Sequence, residues 1–149
     1  MGEFVETFTT LIAKISRSIR KIKNEEMAEY NLRNAHVSCL YYLYLESSVT
    51  ATELVEKCEE DKATISRAVD CLERNGFIIP RPKNKKRYKT PLQLTEKGKE
   101  AGKKISTKID LAIDRLHAQL PREDLDHLYR TLSAISDILD AIGKNYDQE

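Results

Sequence analysis

Val5, Phe8, Ile12, Ile15, Ile19 and Ile22 recur at alternating intervals of three and four residues. Leu125, Leu128, Leu132, Ile135, Leu139 and Ile142 repeat that rhythm near the other end of the chain. Such spacing predicts two helices with one apolar seam each, the pattern by which helices pack along a shared line. Neither seam is easily covered by the short module lying between them. A second copy of the chain is the simplest cover, so residues 1–33 and 105–149 are read as dimerisation helices. Residues 34–104 are read as the compact module, the whole forming a single domain.

Inside that module the pattern shortens. Val37, Leu40, Leu43 and Tyr44 predict a helix from about Asn34 to Glu46. Thr50-Ala-Thr-Glu53 is a capping box, in which Thr50 accepts the third amide proton and Glu53 reaches back to the cap amide. Leu54, Val55 and Cys58 give the next helix its buried side. Asp61 is a good N-cap for a further helix that keeps Ile65, Ala68, Val69 and Leu72 on one face. Gly76 falls where a helix ends in the left-handed region, which glycine enters without strain. Two capped helices joined by a turn of three or four residues are thus expected. Phe77-Ile-Ile79 and Leu92-Gln-Leu94 then read as two short strands around a polar tip. Pro80, Pro82 and Pro91 prevent a long regular ladder there. Thr95 opens a long helix to about Gln119, and Pro121 separates it from the last one. The predicted fold is mainly α with a small β-hairpin wing.

Charge changes the picture. The net charge of the 149 residues is only +1, yet residues 81–104 hold ten Lys or Arg against Glu96 and Glu100. The remainder is therefore acidic, and the positive field is concentrated on one segment suited to a polyanion. A hydrophobic content of 40% with 33% charged residues fits a helix-rich globular protein. No run approaches a membrane span, so a cytoplasmic protein without membrane contact is expected.

A helical wheel places Ala63, Ser66, Arg67, Asp70 and Arg74 opposite the apolar face of the helix after Asp61. Its N-terminal half, with Lys62, Thr64, Ser66 and Arg67, is the part of a recognition helix that reaches base edges. Arg67 has the fork to clamp guanine O6 and N7, and Ser66 and Thr64 can bond bases or phosphates. Thr52 and the amides near Thr50 suit a phosphate at a helix N-terminus. Lys85, Lys86 and Arg87 at the hairpin tip suit a phosphate track. Tyr41, Tyr42 and Tyr44 form a candidate aromatic pocket for a small effector, and core packing explains them equally well.

At Thr52-Glu-Leu54, Asp61-Lys-Ala-Thr-Ile-Ser-Arg67, Leu72-Glu-Arg-Asn-Gly-Phe-Ile78 and Leu94-Thr-Glu-Lys-Gly98 the chain resembles the MarR/SlyA family of winged helix-turn-helix transcriptional regulators. The resemblance spans nearly the whole length. It implies a ligand-responsive repressor that binds a palindromic double-stranded DNA operator as a homodimer and answers to a small aromatic or anionic effector. The family wing usually carries Asp-x-Arg, with the Arg six residues before the Leu of Leu-Thr. Counting back from Leu94 puts Lys86 at the Asp place and Tyr88 at the Arg place, with Arg87 one residue away. A diffuse cationic contact is therefore expected from this wing, in place of one inserted arginine.

An enzyme is not indicated, since no Gly-rich phosphate loop, H-E-x-x-H or nucleophile motif is present. No cofactor or metal is expected, although three His and three Cys leave metal sensing as an alternative. Cysteine-based redox sensing is another alternative. Cys39 and Cys58 lie on apolar faces, whereas Cys71 flanks the recognition helix, where oxidation would disturb docking. A winged-helix protein-interaction module is the reading without DNA.

Overall fold

The computed structural model describes residues 2–84 and 86–146. Its six α-helices are α1 (Gly2–Glu25), α2 (Ala35–Leu45), α3 (Ala51–Lys57), α4 (Lys62–Arg74), α5 (Glu96–Gln119) and α6 (Arg122–Tyr146). The chain divides into two compact units, Met1–Asp110 and Leu111–Glu149, with the division inside α5. No described helix is long and apolar enough to cross a membrane.

Local chemistry sets the helix ends. Thr50 Oγ1 accepts from the Glu53 amide at 3.2 Å, and Glu53 Oε2 accepts from the Thr50 amide at 2.7 Å, closing the capping box of α3. Asp61 accepts the Thr64 amide at 2.7 Å and caps α4. At the other end of α4, Gly76 adopts φ +76°. There the Phe77 amide donates to the Leu72 carbonyl at 2.9 Å and the Gly76 amide to that of Glu73 at 3.1 Å. This is the Schellman arrangement, with Phe77 and Leu72 both buried beside it. The 3-10 turn Ala28–Tyr30 links α1 toward α2 and ends on Asn31 in the left-handed region.

The core of the first unit is built from α2, α3, α4 and the segment after Gly76. Val37, Leu40, Leu54, Ile65, Leu72 and Phe77 are almost fully buried in it. Full burial of such side chains contributes about 1.5–3 kcal/mol each. The two expected strands reduce to an antiparallel bridge between Ile78 and Leu94. Flanking bonds extend it slightly, from the Ile79 amide to the Gln93 carbonyl (2.9 Å) and from the Thr95 amide to the Phe77 carbonyl (3.0 Å), while the Leu92 amide donates to the Val49 carbonyl before α3 (2.8 Å). Pro80, Pro82 and Pro91 carry no N–H, so the ladder stops there and the tip closes through a 3-10 turn at Arg87–Lys89. The architecture is a winged helix-turn-helix, mainly α, with a wing of minimal β content.

Candidate nucleic-acid interface

The turn between α3 and α4 holds the recognition helix in place. Cys58 caps α3, Glu59 turns the chain at φ +52°, and Asp61 restarts it as α4. The apolar face of α4 is buried through Ile65, Ala68, Val69 and Leu72. Lys62 and Arg67 remain exposed, and Ser66 is half-buried.

Among the sequence-predicted residues, Thr52, Lys62 and Ser66 are brought together. With Tyr88 and Ile65 they line a groove of about 260 Å³ between α3, α4 and the wing. The Thr52 hydroxyl donates to the Tyr88 carbonyl at 3.2 Å, tying α3 to the wing. The Lys62 ammonium lies 5.0 Å from the centre of the Tyr88 ring, a cation–π distance. Tyr88, given no role by the sequence, is thus the wing's contact with the start of the recognition helix. Thr64 serves the cap, its hydroxyl donating to Asp61 at 2.9 Å and accepting from Arg67 Nη2 at 3.3 Å. The carboxyl of Asp61 is held below its usual range, first by the Thr64 amide and then by the Thr64 hydroxyl.

Arg87 corrects the sequence reading of the wing. Instead of standing free at the tip, its guanidinium turns back to α4, with Nη2 2.5 Å from Asp70 Oδ1 and 3.0 Å from Glu73 Oε2. Arg81 joins from the base of the wing, its Nε donating to Glu73 Oε1 at 2.6 Å and its Nη1 to the Arg87 carbonyl at 3.3 Å. Only 5% of the Arg81 side chain is exposed. Two arginines of the wing therefore neutralise two carboxylates of the recognition helix. Lys86 is exposed and its amide is held by Asn84 Oδ1 at 3.0 Å. Lys85 lies outside the described residues.

The three tyrosines do not line one pocket. Tyr41 and Tyr42 meet edge to face at 5.4 Å, and the Lys23 ammonium lies 4.4 Å from the first ring and 5.6 Å from the second. Burial raises both phenol pKa values. Tyr44 instead packs toward Gly102 and lines a separate concavity of about 500 Å³ with Leu43, Ile79 and Leu92. Positions 42 and 44 are about 200° apart on a helix, so one cavity does not receive both. Among the described residues, no group of three or more His, Cys, Asp or Glu is arranged to hold a metal ion.

Residues 32–87, which contain this helix-turn-helix and the start of the wing, match the profile of the MarR family. The HTH-type transcriptional regulator YybA of Bacillus subtilis (strain 168) is 34% identical over 91 residues, covering 60% of this chain and 59% of that relative. The match thus spans less than two thirds of YybA's length. A MarR family regulator of Neisseria meningitidis superposes with a TM-score of 0.77 at 24% identity, over 95% of this chain and 97% of its own. A putative MarR family regulator of Listeria monocytogenes, solved with a 26mer DNA, gives 0.74 at 26% identity over 88% and 87%. Over residues 32–87 the chain is thus similar to the MarR family, and it shares the fold of these regulators over most of its length.

Proposed function

We propose that the protein is a DNA-binding transcriptional repressor that acts as a homodimer on a palindromic operator and is released by a small aromatic or anionic effector. The observation that carries this reading is the presentation of α4. Its apolar side is anchored, its N-terminus is capped, and Lys62, Ser66 and Arg67 stand outward between α3 and the wing. The duplex bound by the Listeria relative supports the same reading. In this reading α4 enters the major groove, Arg67 reads a base, and Lys62, Lys86 and Thr52 meet the backbone. Lys85 is proposed as a further backbone contact on its sequence position alone. Lys23 beside Tyr41 and Tyr42 is a suitable seat for an anionic ring.

Arg67→Ala is expected to relax discrimination at one base position in each half-site, at a cost of about 1–3 kcal/mol. Binding measured on a duplex selected from a random pool, and on single-base variants of it, reads this directly. Equal weakening on selected and unselected duplexes would make Arg67 a phosphate contact.

Dimerisation is supported within each unit separately. The apolar stripe of α1 includes no buried residue, and Ile15 is 55% exposed. On α6, Ile138 and Leu139 are 59% and 56% exposed. A second copy is the occupant that this family offers. Leu132→Asp with Leu139→Asp is expected to yield monomer or aggregate with lost DNA binding in sedimentation and binding assays. A monodisperse, folded monomer of the unmodified protein is the contrary result. In the dimer the two recognition helices should lie about 34–36 Å apart, one turn of DNA.

A further inference from the structure

Arg87 and Tyr88 are neighbours in the 3-10 turn of the wing, yet they serve different parts of the helix pair. The Arg87 side chain meets Asp70 and Glu73 in the middle and later part of α4. Tyr88 serves α3 and the start of α4. Its carbonyl accepts the Thr52 hydroxyl at 3.2 Å, and its ring centre lies 5.0 Å from the ammonium of Lys62, the first residue of α4. The turn is closed on itself as well. The Arg87 amide donates to the Asn84 carbonyl at 3.1 Å, and the Lys89 amide and Thr90 hydroxyl both donate to the Lys86 carbonyl at 3.0 Å. The ring is therefore offered to Lys62 from a fixed backbone.

Lys62 stands where a cation is otherwise disfavoured. The first residue of a helix lies at the positive end of its dipole, which favours anions. The face of the Tyr88 ring supplies the missing negative potential. A ring face engages the charge of an ammonium and leaves its remaining N–H groups free to donate to a phosphate oxygen. A lysine stem also has many rotamers. Holding it over a ring before DNA arrives removes part of the entropy that ordering it on the duplex would cost. Both side chains are exposed, so the pair is open to a ligand on its outer side.

We propose that Tyr88 is a positioning residue for DNA binding, its ring holding Lys62 in the direction from which that ammonium meets the duplex backbone. The inference rests on the DNA-binding reading above and assigns Tyr88 a part in it. Tyr88 occupies the wing place where the resemblance calls for an arginine. An arginine there would set like charge against Lys62, so the two arrangements exclude each other. In this chain the cation sits on the helix and the wing supplies its support. Position 88 then contributes to affinity through α4 and makes no minor-groove contact of its own.

The test uses the full-length protein, the selected duplex and fluorescence anisotropy. Tyr88→Leu is expected to weaken binding about five- to tenfold, and Tyr88→Phe, which keeps the ring, less than about twofold. In a Lys62→Ala background Tyr88→Leu should cost less than about twofold more, because the group it positions is gone. The loss from Tyr88→Leu should be equal on A·T-rich and G·C-rich flanks. Circular dichroism checks that the variants fold. A Tyr88→Phe protein as weak as Tyr88→Leu, losses that simply multiply in the double variant, or a loss confined to A·T-rich flanks overturns the proposal. Proton NMR reads the contact without DNA. The Lys62 ε-methylene resonances should be shifted upfield by the ring and should return in Tyr88→Leu; unshifted resonances in the unmodified protein overturn the contact. If the unmodified protein selects no duplex, the DNA-binding reading fails, and the resonances alone decide whether Tyr88 holds Lys62.

Discussion

Glu73→Ala is expected to destabilise the protein by about 2–3 kcal/mol and to free the wing from the recognition helix. The carboxylate of Glu73 is 13% exposed and accepts from both wing arginines. Removing it leaves the Arg81 guanidinium, only 5% exposed, with Asp70 at 3.7 Å as its remaining acidic partner. Stranding one half of a buried ion pair costs about 3–5 kcal/mol. The expected cost falls toward and below the low end of that range, at about 2–3 kcal/mol, because Arg87 is 24% exposed and solvent recovers part of the loss. Asp70→Ala should cost much less, within about 1 kcal/mol, since that carboxylate is 43% exposed. Urea unfolding of the two variants gives the comparison, and hydrogen exchange at Arg81 and Arg87–Lys89 reports the wing. Equal effects from both substitutions would show that the network does not hold the wing. A functional corollary follows for Arg87. Its replacement should act through wing position, because its charge is already matched by α4.

The network also shows where sequence reasoning stopped. Thr50, Glu53, Asp61 and Gly76 were legible because each acts on backbone groups within a few residues, so local spacing determines the partner. The helices follow from apolar periods that need no knowledge of what covers them. Arg81 and Arg87 carry no such signal. Whether a basic residue meets a phosphate or a carboxylate depends on a fold that brings position 87 against positions 70 and 73. The acidic pair of α4 was a clue, since Asp70 and Glu73 are about one turn apart and carboxylates beside a recognition surface call for cationic partners. The hairpin was overdrawn for a different reason. Phe77-Ile-Ile79 and Leu92-Gln-Leu94 have strand chemistry, but three prolines remove the donors a ladder needs.

Gly98→Ala is expected to lower stability by about 2–3 kcal/mol, although alanine is the better helix former. Gly98 lies in the first turn of α5, where Thr95 Oγ1 accepts its amide at 3.1 Å. A β-carbon there would collide with the Phe77 carbonyl oxygen and approach Leu94 Cδ2 to 3.1 Å. The obstacle is backbone, and that carbonyl already accepts the Thr95 amide at 3.0 Å, so it cannot swing aside without losing the bond. Helix propensity favours alanine by about 1 kcal/mol, while overpacking of this kind costs about 1–3 kcal/mol and more where backbone must shift. The collision wins. Gly102→Ala should behave similarly, since its added carbon would lie 2.5 Å from Tyr44 Cβ, an atom that no rotamer moves. Gly143 on α6 supplies the opposite case. A β-carbon there meets nothing within 4 Å, so Gly143→Ala should raise stability by up to about 1 kcal/mol. Thermal unfolding of the three variants at one protein concentration separates the effects. A Gly98→Ala protein as stable as Gly143→Ala would mean that α5 does not seat on the Phe77 carbonyl, and the close approach of helix to wing base would have to be abandoned.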